Sequence, residues 1–194
     1  AELSIANGGR GGRGSGLNYS QMNIWSVASS AAPDFWVTFA QTSLLLAEAA
    51  HRGWIAGGDV AAKAYYETAI DADMARYSLY PVTSPISAAD VTAYKNNPAI
   101  LYNPTDALEL INTQYWIASF LNGPEAFANF RRSGFPVLTP NPYGQPNNPD
   151  VPNGTFIRRL TYPTSELSVN TDNVKDAISI LGPDKLSTRL WWDV

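Results

Sequence analysis

The sequence has no cysteine and only one histidine, His51. Without cysteine there can be no disulfide, thiolate nucleophile or thiolate metal ligand. A single histidine cannot build a histidine zinc site, and no serine or cysteine nucleophile motif accompanies it. Its place beside Arg52 at the end of a predicted helix instead favours an interaction with the helix dipole. No cofactor or metal is therefore expected, and only a calcium site made entirely of oxygen ligands stays open.

Charge and long apolar runs are also scarce. Charged residues make up 15% of the chain and the formal net charge is -4, so no basic field attracts phosphates and nucleic acid is not an expected partner. The longest apolar run, 44–50, is interrupted by Glu48 and is far shorter than the roughly 20 residues that cross a bilayer. The start of the chain does not resemble a signal peptide, so we expect any export signal or lipid anchor to lie upstream.

Hydrophobic residues, by contrast, make up 45% of the 194 residues, with 14 glycines, 14 prolines, 6 tryptophans and 10 tyrosines. This amount of apolar material is enough for the core of one domain. The glycines and prolines predict helices joined by long, ordered loops. Residues 1–36, which include the glycine-rich stretch 8–16, are predicted to be loop.

Residues 37–80 are predicted to form a pair of helices like a tetratricopeptide repeat. Apolar residues at helical spacing predict a helix from Phe35 to Arg52, with Glu48 and Arg52 as a surface ion pair four residues apart. Gly57 and Gly58 predict a turn, and Asp59 is expected to cap a second helix that ends at Arg76. Repeats of this kind bury their faces against neighbours, so a single copy indicates that its neighbours lie elsewhere in sequence.

Residues 81–194 are predicted to hold further helices and long loops, which makes the chain all-α. Ser87 and Asp90 resemble a capping box, and Asn103 is expected to cap a long helix. The predicted elements are a short helix 87–95, a long helix from Pro104 to Leu121, a helix from Glu125 to Arg132, a proline-rich loop 136–152, a short strand from Phe156 to Tyr162 and a last helix from Asn173 to Ile180.

The pattern Gly9-x-Gly11-x-x-Gly14 matches the dinucleotide-binding string. That function needs a strand before the glycines and a helix after them, and neither flank fits, so a loop is predicted. The chain also has 17 acidic residues, any two of which might meet across a cleft as in a glycosidase. Their local sequence contexts, in caps and helix ion pairs, favour structural roles.

Aromatic residues in the predicted loops are the candidate binding residues. Sugars are held by aromatic rings and by polar side chains around them, although the same rings also anchor loops to a core. The candidates for ligand contact are Arg13, Asn18, Tyr19, Trp25, Trp36 and Tyr143.

Four segments resemble the SusD/RagB family, specifically its SusD-like subgroup, over about residues 35–194. They are the helix from Thr38 to Trp54, the helix segment 111–116, the block Gly123–Pro136, and the segment 158–170 together with Trp191-Trp192-Asp193. The block Glu125-Ala126-Phe127 through Arg131-Arg132-Ser133-Gly134-Phe135-Pro136 is the most specific of these matches.

The residues shared in these segments indicate architecture more than ligand contact. Glu125 and Arg132 are predicted to cap and pair around a short helix, Gly134 to adopt a positive φ, and Pro163 to set a turn. The full set is Glu125, Arg131, Arg132, Gly134, Pro136, Tyr162, Pro163 and Glu166.

The resemblance implies a helical lipoprotein on the outer face of the outer membrane of Bacteroidetes, anchored by an upstream lipidated cysteine. It implies capture of an oligosaccharide or peptide and its delivery to a SusC-like TonB-dependent transporter, without catalysis. Residues 1–194 would then be the C-terminal portion of a SusD-like domain. Two alternatives stay open: a tetratricopeptide-like scaffold that only docks a partner protein, and a glycoside hydrolase.

Overall fold

The computed structural model describes residues 22–140 and 155–194. The regular structure in these two ranges consists of seven α-helices with no strand, which confirms the all-α class. The helices are α1 (Phe39–His51), α2 (Gly58–Arg76), α3 (Ala88–Lys95), α4 (Ala107–Ala118), α5 (Gly123–Ser133), α6 (Thr164–Val169) and α7 (Thr171–Leu181). None of the helices in these ranges is long and apolar enough to span a membrane.

The core lies between α1, α2 and α4. Each helix contributes residues spaced three or four apart, which places them on one face. Alanines at many of these positions let the helix backbones approach closely. The buried residues are Ala40, Leu44, Ala47 and Ala50 of α1, Ala62, Tyr66, Ala69 and Ile70 of α2, and Ala107, Ile111, Tyr115 and Ala118 of α4.

Side-chain caps begin several helices, and the one at Ser87 was predicted from the sequence. Thr38 Oγ1 accepts a hydrogen bond from Gln41 N, and Gln41 Oε1 accepts one from Thr38 N, which is a capping box. Ser87 Oγ accepts from Asp90 N in the same way at the start of α3. At the end of α5, Gly134 has a φ of 77°, which confirms the predicted left-handed conformation at a position that suits glycine.

Two predictions for the helix pair were wrong. The first helix begins at Phe39 instead of Phe35, because Phe35 lies in the preceding loop with its ring against Tyr80. Asp59 is not an N-cap, since Gly57 takes that position. The Asp59 carboxylate instead accepts a hydrogen bond from the Tyr102 hydroxyl at 2.8 Å and lies 2.7 Å from His51 Nδ1.

The later elements also differ from the predictions. The predicted long helix divides into a 3-10 turn, Pro104–Asp106, followed by α4. No strand forms from Phe156 to Tyr162, because Arg158 N and Arg159 N both donate to the one carbonyl oxygen of Leu186. A strand would need its donors to meet successive partners along a ladder.

Candidate functional site

A buried carboxylate, Glu48, joins three helices. Its side chain is 3% exposed, and its Oε1 and Oε2 accept hydrogen bonds from Arg132 Nη1 and Nη2 at 2.9 and 2.8 Å. Arg52 Nε donates to the same carboxylate at 2.8 Å. Arg132 Nη2 also donates to Asn112 and Asn129. These five residues, named the Glu48 cluster, tie α1, α4 and α5 together.

Two sequence predictions for the residues of the Glu48 cluster were wrong in part. Glu48 and Arg52 do form an ion pair, but Glu48 lies inside the protein and not on its surface. Arg132 pairs with Glu48 instead of Glu125, and Glu125 Oε1 accepts from the Tyr115 hydroxyl at 2.6 Å. Glu125 and Arg132 therefore bind partners on α4 and α1 instead of each other, because α5 packs against α4 and lies close to α1.

The environment of Glu48 keeps its carboxylate ionised. Burial raises the pKa of Glu48, but the hydrogen bonds and positive charges of Arg132 and Arg52 outweigh burial and hold the pKa at about 2, below the ordinary 4.5. Burial also raises the pKa of Tyr115, and its hydrogen bond to Glu125 adds to that increase. Tyr115 is therefore a neutral hydrogen-bond donor at physiological pH.

A second cluster holds the end of the chain against α5. Arg131 Nη1 donates to the Arg158 carbonyl at 2.6 Å, and its guanidinium lies 4.6 Å from the Trp192 ring centroid. Arg158 Nη1 in turn donates to Asp193 Oδ1 at 2.7 Å. We call Arg131, Arg158, Trp192 and Asp193 the C-terminal clamp. It docks the last residues of the sequence on the protein, although Trp191 itself is 90% exposed.

Asp193→Asn is expected to lower the free energy of unfolding by about 2 kcal/mol. The Asp193 side chain is fully buried, so the partly buried Arg158 would lose its carboxylate partner without access to bulk water. Urea denaturation of both proteins measures the difference. Asp172→Asn is the control, because the side chain of Asp172 is 95% exposed. Equal effects of the two substitutions would contradict a role for the clamp.

The other family residues follow α5 in the chain, up to and including α6. Arg159 Nη2 donates to Asp184 Oδ1 at 2.8 Å, and Tyr162 N donates to the same carboxylate. Pro163 takes the N-cap position of α6. The Glu166 carboxylate accepts from Asn170 Nδ2, and Pro136 follows α5 through a cis peptide bond. A structural role for these residues stays a prediction.

Trp36 lies in an open pocket at the start of α1. The residue is 80% exposed, and its indole Nε1 donates to Asp34 Oδ2 at 3.1 Å. Asn122 Nδ2 donates to the Trp36 carbonyl at 3.2 Å, which connects this loop to the N-terminus of α5. The Trp36 pocket has a volume of about 400 Å³ and is lined by Asp34, Phe35, Trp36, Leu121, Asn122 and Pro124.

The wall of the Trp36 pocket is firmly held. The Phe35 ring packs edge-on against Tyr80, with 5.7 Å between centroids, and lies 5.2 Å from the guanidinium of Arg76. Arg76 is buried and bound to Asp73 at 2.6 Å. Leu121, which also lines the pocket, has a φ of 71°, a conformation that non-glycine residues seldom adopt and that is often found at ligand sites.

The chemistry of the Trp36 pocket suits a pyranose ring. An exposed indole face can stack on the apolar face of a sugar, while the Asp34 carboxylate and the Asn122 amide can accept or donate hydrogen bonds to hydroxyls. The lining of the pocket is more polar than apolar, which suits a ligand that carries hydroxyl groups. Among the described residues, no group of three or more His, Cys, Asp or Glu side chains could hold a metal ion.

The structure separates the predicted ligand residues. Trp36 lies in this pocket, whereas Trp25 is 65% exposed and is not part of its lining. Arg13, Asn18, Tyr19 and Tyr143 lie outside the described residues. Asp34 and Asn122 were missed by the sequence analysis. Asn122 precedes Gly123-Pro124, which is a signal for a capped helix start. That signal predicts the Asn122 side chain at a helix end, but it does not predict that Trp36 lies beside it.

Comparison with protein families gives one extensive match. A SusD-like family model, described as Susd and RagB outer membrane lipoprotein, matches residues 5–193. No curated protein matches the chain.

Several solved structures are similar to the chain. A Bacteroidetes structure named AC2a SusD-like is 34% identical with a TM-score of 0.73, and the match covers 85% of this chain and 31% of that one. A chitin-binding protein is 33% identical with a TM-score of 0.70, covering 84% and 34%. A chitin-binding SusD homologue from Flavobacterium johnsoniae is 28% identical with a TM-score of 0.63, covering 80% and 36%. The chain thus spans about a third of the length of these relatives.

Proposed function

Because the chain belongs to the SusD-like family of Susd and RagB outer membrane lipoproteins, we propose that it captures oligosaccharides at the cell surface through the Trp36 pocket. The exposed indole of Trp36 is the observation that carries this proposal. This residue is 80% exposed and lines a pocket, so its indole face is accessible for stacking on a sugar ring. The neighbouring carboxylate and amide favour a ligand with hydroxyl groups.

We also propose a class of ligand and a partner protein. Two relatives are described as chitin-binding, so oligosaccharides of N-acetylglucosamine are the first ligands to test, with peptides as the alternative. Within a longer SusD-like protein, of which these residues form the C-terminal portion, the captured ligand would pass to a SusC-like TonB-dependent transporter. The protein binds its ligand without cleaving it.

Trp36→Ala is expected to weaken binding of chitotetraose, the tetramer of N-acetylglucosamine, by about tenfold or more, because the stacking surface is lost. Isothermal titration calorimetry measures this change. Trp54→Ala is a matched control, because Trp54 is 71% exposed and lies beside Arg52, outside the pocket lining. Equal affinity of the Trp36→Ala variant and the unsubstituted protein would reject the pocket as the binding site.

A scaffold that only docks a partner protein is the second candidate. It is favoured by exposed apolar residues on α1, where Phe39 is 68% and Leu45 47% exposed. Co-purification with the transporter, combined with the absence of binding to any glycan or peptide, would support this function over ligand capture.

Mass spectrometry of the glycan after incubation with the protein tests for cleavage, and recovery of intact chitotetraose is expected.

A further inference from the structure

A second pocket lies further along α1 and α5. It has a volume of about 330 Å³ and lies between Leu45 of α1 and the α5 face that carries Glu125, Ala128 and Arg132, with Tyr115 and Trp192 completing its walls. We call it the Trp192 pocket. We propose that it binds a further pyranose ring of an oligosaccharide whose first ring stacks on Trp36, an inference that rests on the proposed function.

The two pockets are neighbours along α5, because Pro124 lines the first and Glu125 lines the second. Gln41, near the start of α1, donates to Ser119, three residues before Asn122, whereas Glu48 contacts Arg132 near the ends of α1 and α5. The two helices therefore run in the same direction. Trp36 lies where they start, and Leu45 lies seven residues past the Thr38 cap, or about 10 Å along the axis at 1.5 Å per residue. An oligosaccharide is a ligand long enough to reach both pockets.

The charges of the Trp192 pocket favour a neutral ligand. Arg132 is paired with Glu48, and Glu48 is also paired with Arg52. The charged residues that line the pocket are Glu125 and Arg132, one of each sign, so the lining offers no net charge to an ionic ligand. Only Oε1 of Glu125 accepts from Tyr115, and a carboxylate has about four acceptor positions. Glu125 can therefore accept hydrogen bonds from the hydroxyls of a sugar.

The aromatic wall of the pocket is held in position. The Arg131 guanidinium lies 4.6 Å from the centroid of the Trp192 ring, and the neighbouring Asp193 is held by Arg158. Trp191 contrasts with it, because it is 90% exposed. A fixed ring that also borders a pocket gives the apolar face of a pyranose a preorganised surface, which lowers the entropic cost of binding. The apolar side chains of Leu45 and Ala128 complete that surface.

Calorimetry with N-acetylglucosamine and chitotetraose tests this second subsite. Ala128→Phe, which fills the pocket, and Trp192→Ala, which removes its wall, are each expected to weaken tetramer binding about tenfold. Both variants should bind the monomer as the unsubstituted protein does. Ala64→Phe is the matched control, since Ala64 is exposed on α2. Ala128→Leu is a smaller filling variant if the phenylalanine prevents folding.

Comparing the affinities for monomer and tetramer distinguishes failure of the second subsite from failure of the proposed function. Unchanged tetramer affinity in the pocket-filling variant overturns the second subsite, even if Trp192→Ala weakens binding, because the latter also disturbs the C-terminal clamp. Loss of monomer and tetramer binding in Trp36→Ala, with loss of only tetramer affinity in Ala128→Phe, supports both. If the unsubstituted protein binds neither sugar, the proposed function fails and the subsite fails with it.

Discussion

Arg132→Met is expected to lower the free energy of unfolding by about 3 to 5 kcal/mol, because it removes one partner of a buried ion pair. Glu48, with a side chain that is 3% exposed, would keep its charge with Arg52 as the only remaining cation of the cluster. Asn112 and Asn129 would each lose a charged hydrogen-bond donor. Chemical denaturation monitored by circular dichroism measures the loss.

Arg52→Met is the matched control for this substitution. Arg52 donates a single hydrogen bond to Glu48 from its Nε, whereas Arg132 donates two to Glu48 and one each to Asn112 and Asn129. A smaller loss, about 1 kcal/mol, is therefore expected for Arg52→Met. Combining Glu48→Met with Arg132→Met should be less harmful than Arg132→Met alone, because no buried charge stays unpaired. A double variant that is less stable than the single one would contradict this account.

Acid is expected to weaken the protein through Glu48. The pKa of Glu48 is about 2 in the folded protein and 4.5 ordinarily. A lowered pKa stabilises the folded state above the ordinary value, and that stability is lost as the pH falls through 4.5 towards 2. The difference corresponds to about 3 kcal/mol, lost mostly between pH 5 and pH 2.

Denaturation at a series of pH values tests this titration. The free energy of unfolding of the unsubstituted protein should exceed that of Glu48→Gln at pH 7, and the gap should close by about 3 kcal/mol on acidification to pH 2. Glu67→Gln is the control, because Glu67 forms a more exposed pair with Lys63 at 3.7 Å. If the gap stays constant with pH, Glu48 does not titrate as its surroundings indicate.

Much of the fold could be predicted because it depends on neighbours along the chain. The caps at Ser87 and Asn103 join residues two or three apart, and the buried face of α1 repeats every three or four residues. The mistakes come from contacts outside that range. Local sequence predicts a cap at Asp59, although its hydrogen bond to Tyr102 spans 43 positions, and no local pattern indicates such a partner.

The candidate site was predictable only in part for the same reason. Trp36 is identifiable as an aromatic residue in a loop, but packing alone brings Asn122 to its carbonyl, 86 residues away. Likewise, the spacing of Glu48 and Arg52 predicts an ion pair four residues apart, whereas Arg132 lies 84 residues from Glu48. The surface pair expected from spacing became a buried cluster because α4 and α5 cover it.

By itself, the sequence determined the all-α class, the approximate helices, the glycine that ends α5 and the family, through the block that runs from Glu125 to Pro136. These features follow from local propensity, short spacings and residue order. Only the tertiary structure decided that Arg132 neutralises a buried Glu48, that Arg131 holds the C-terminus, and that Trp36 faces a pocket. Burial and pairing depend on which helices meet, and this is decided by packing between segments that are far apart in sequence.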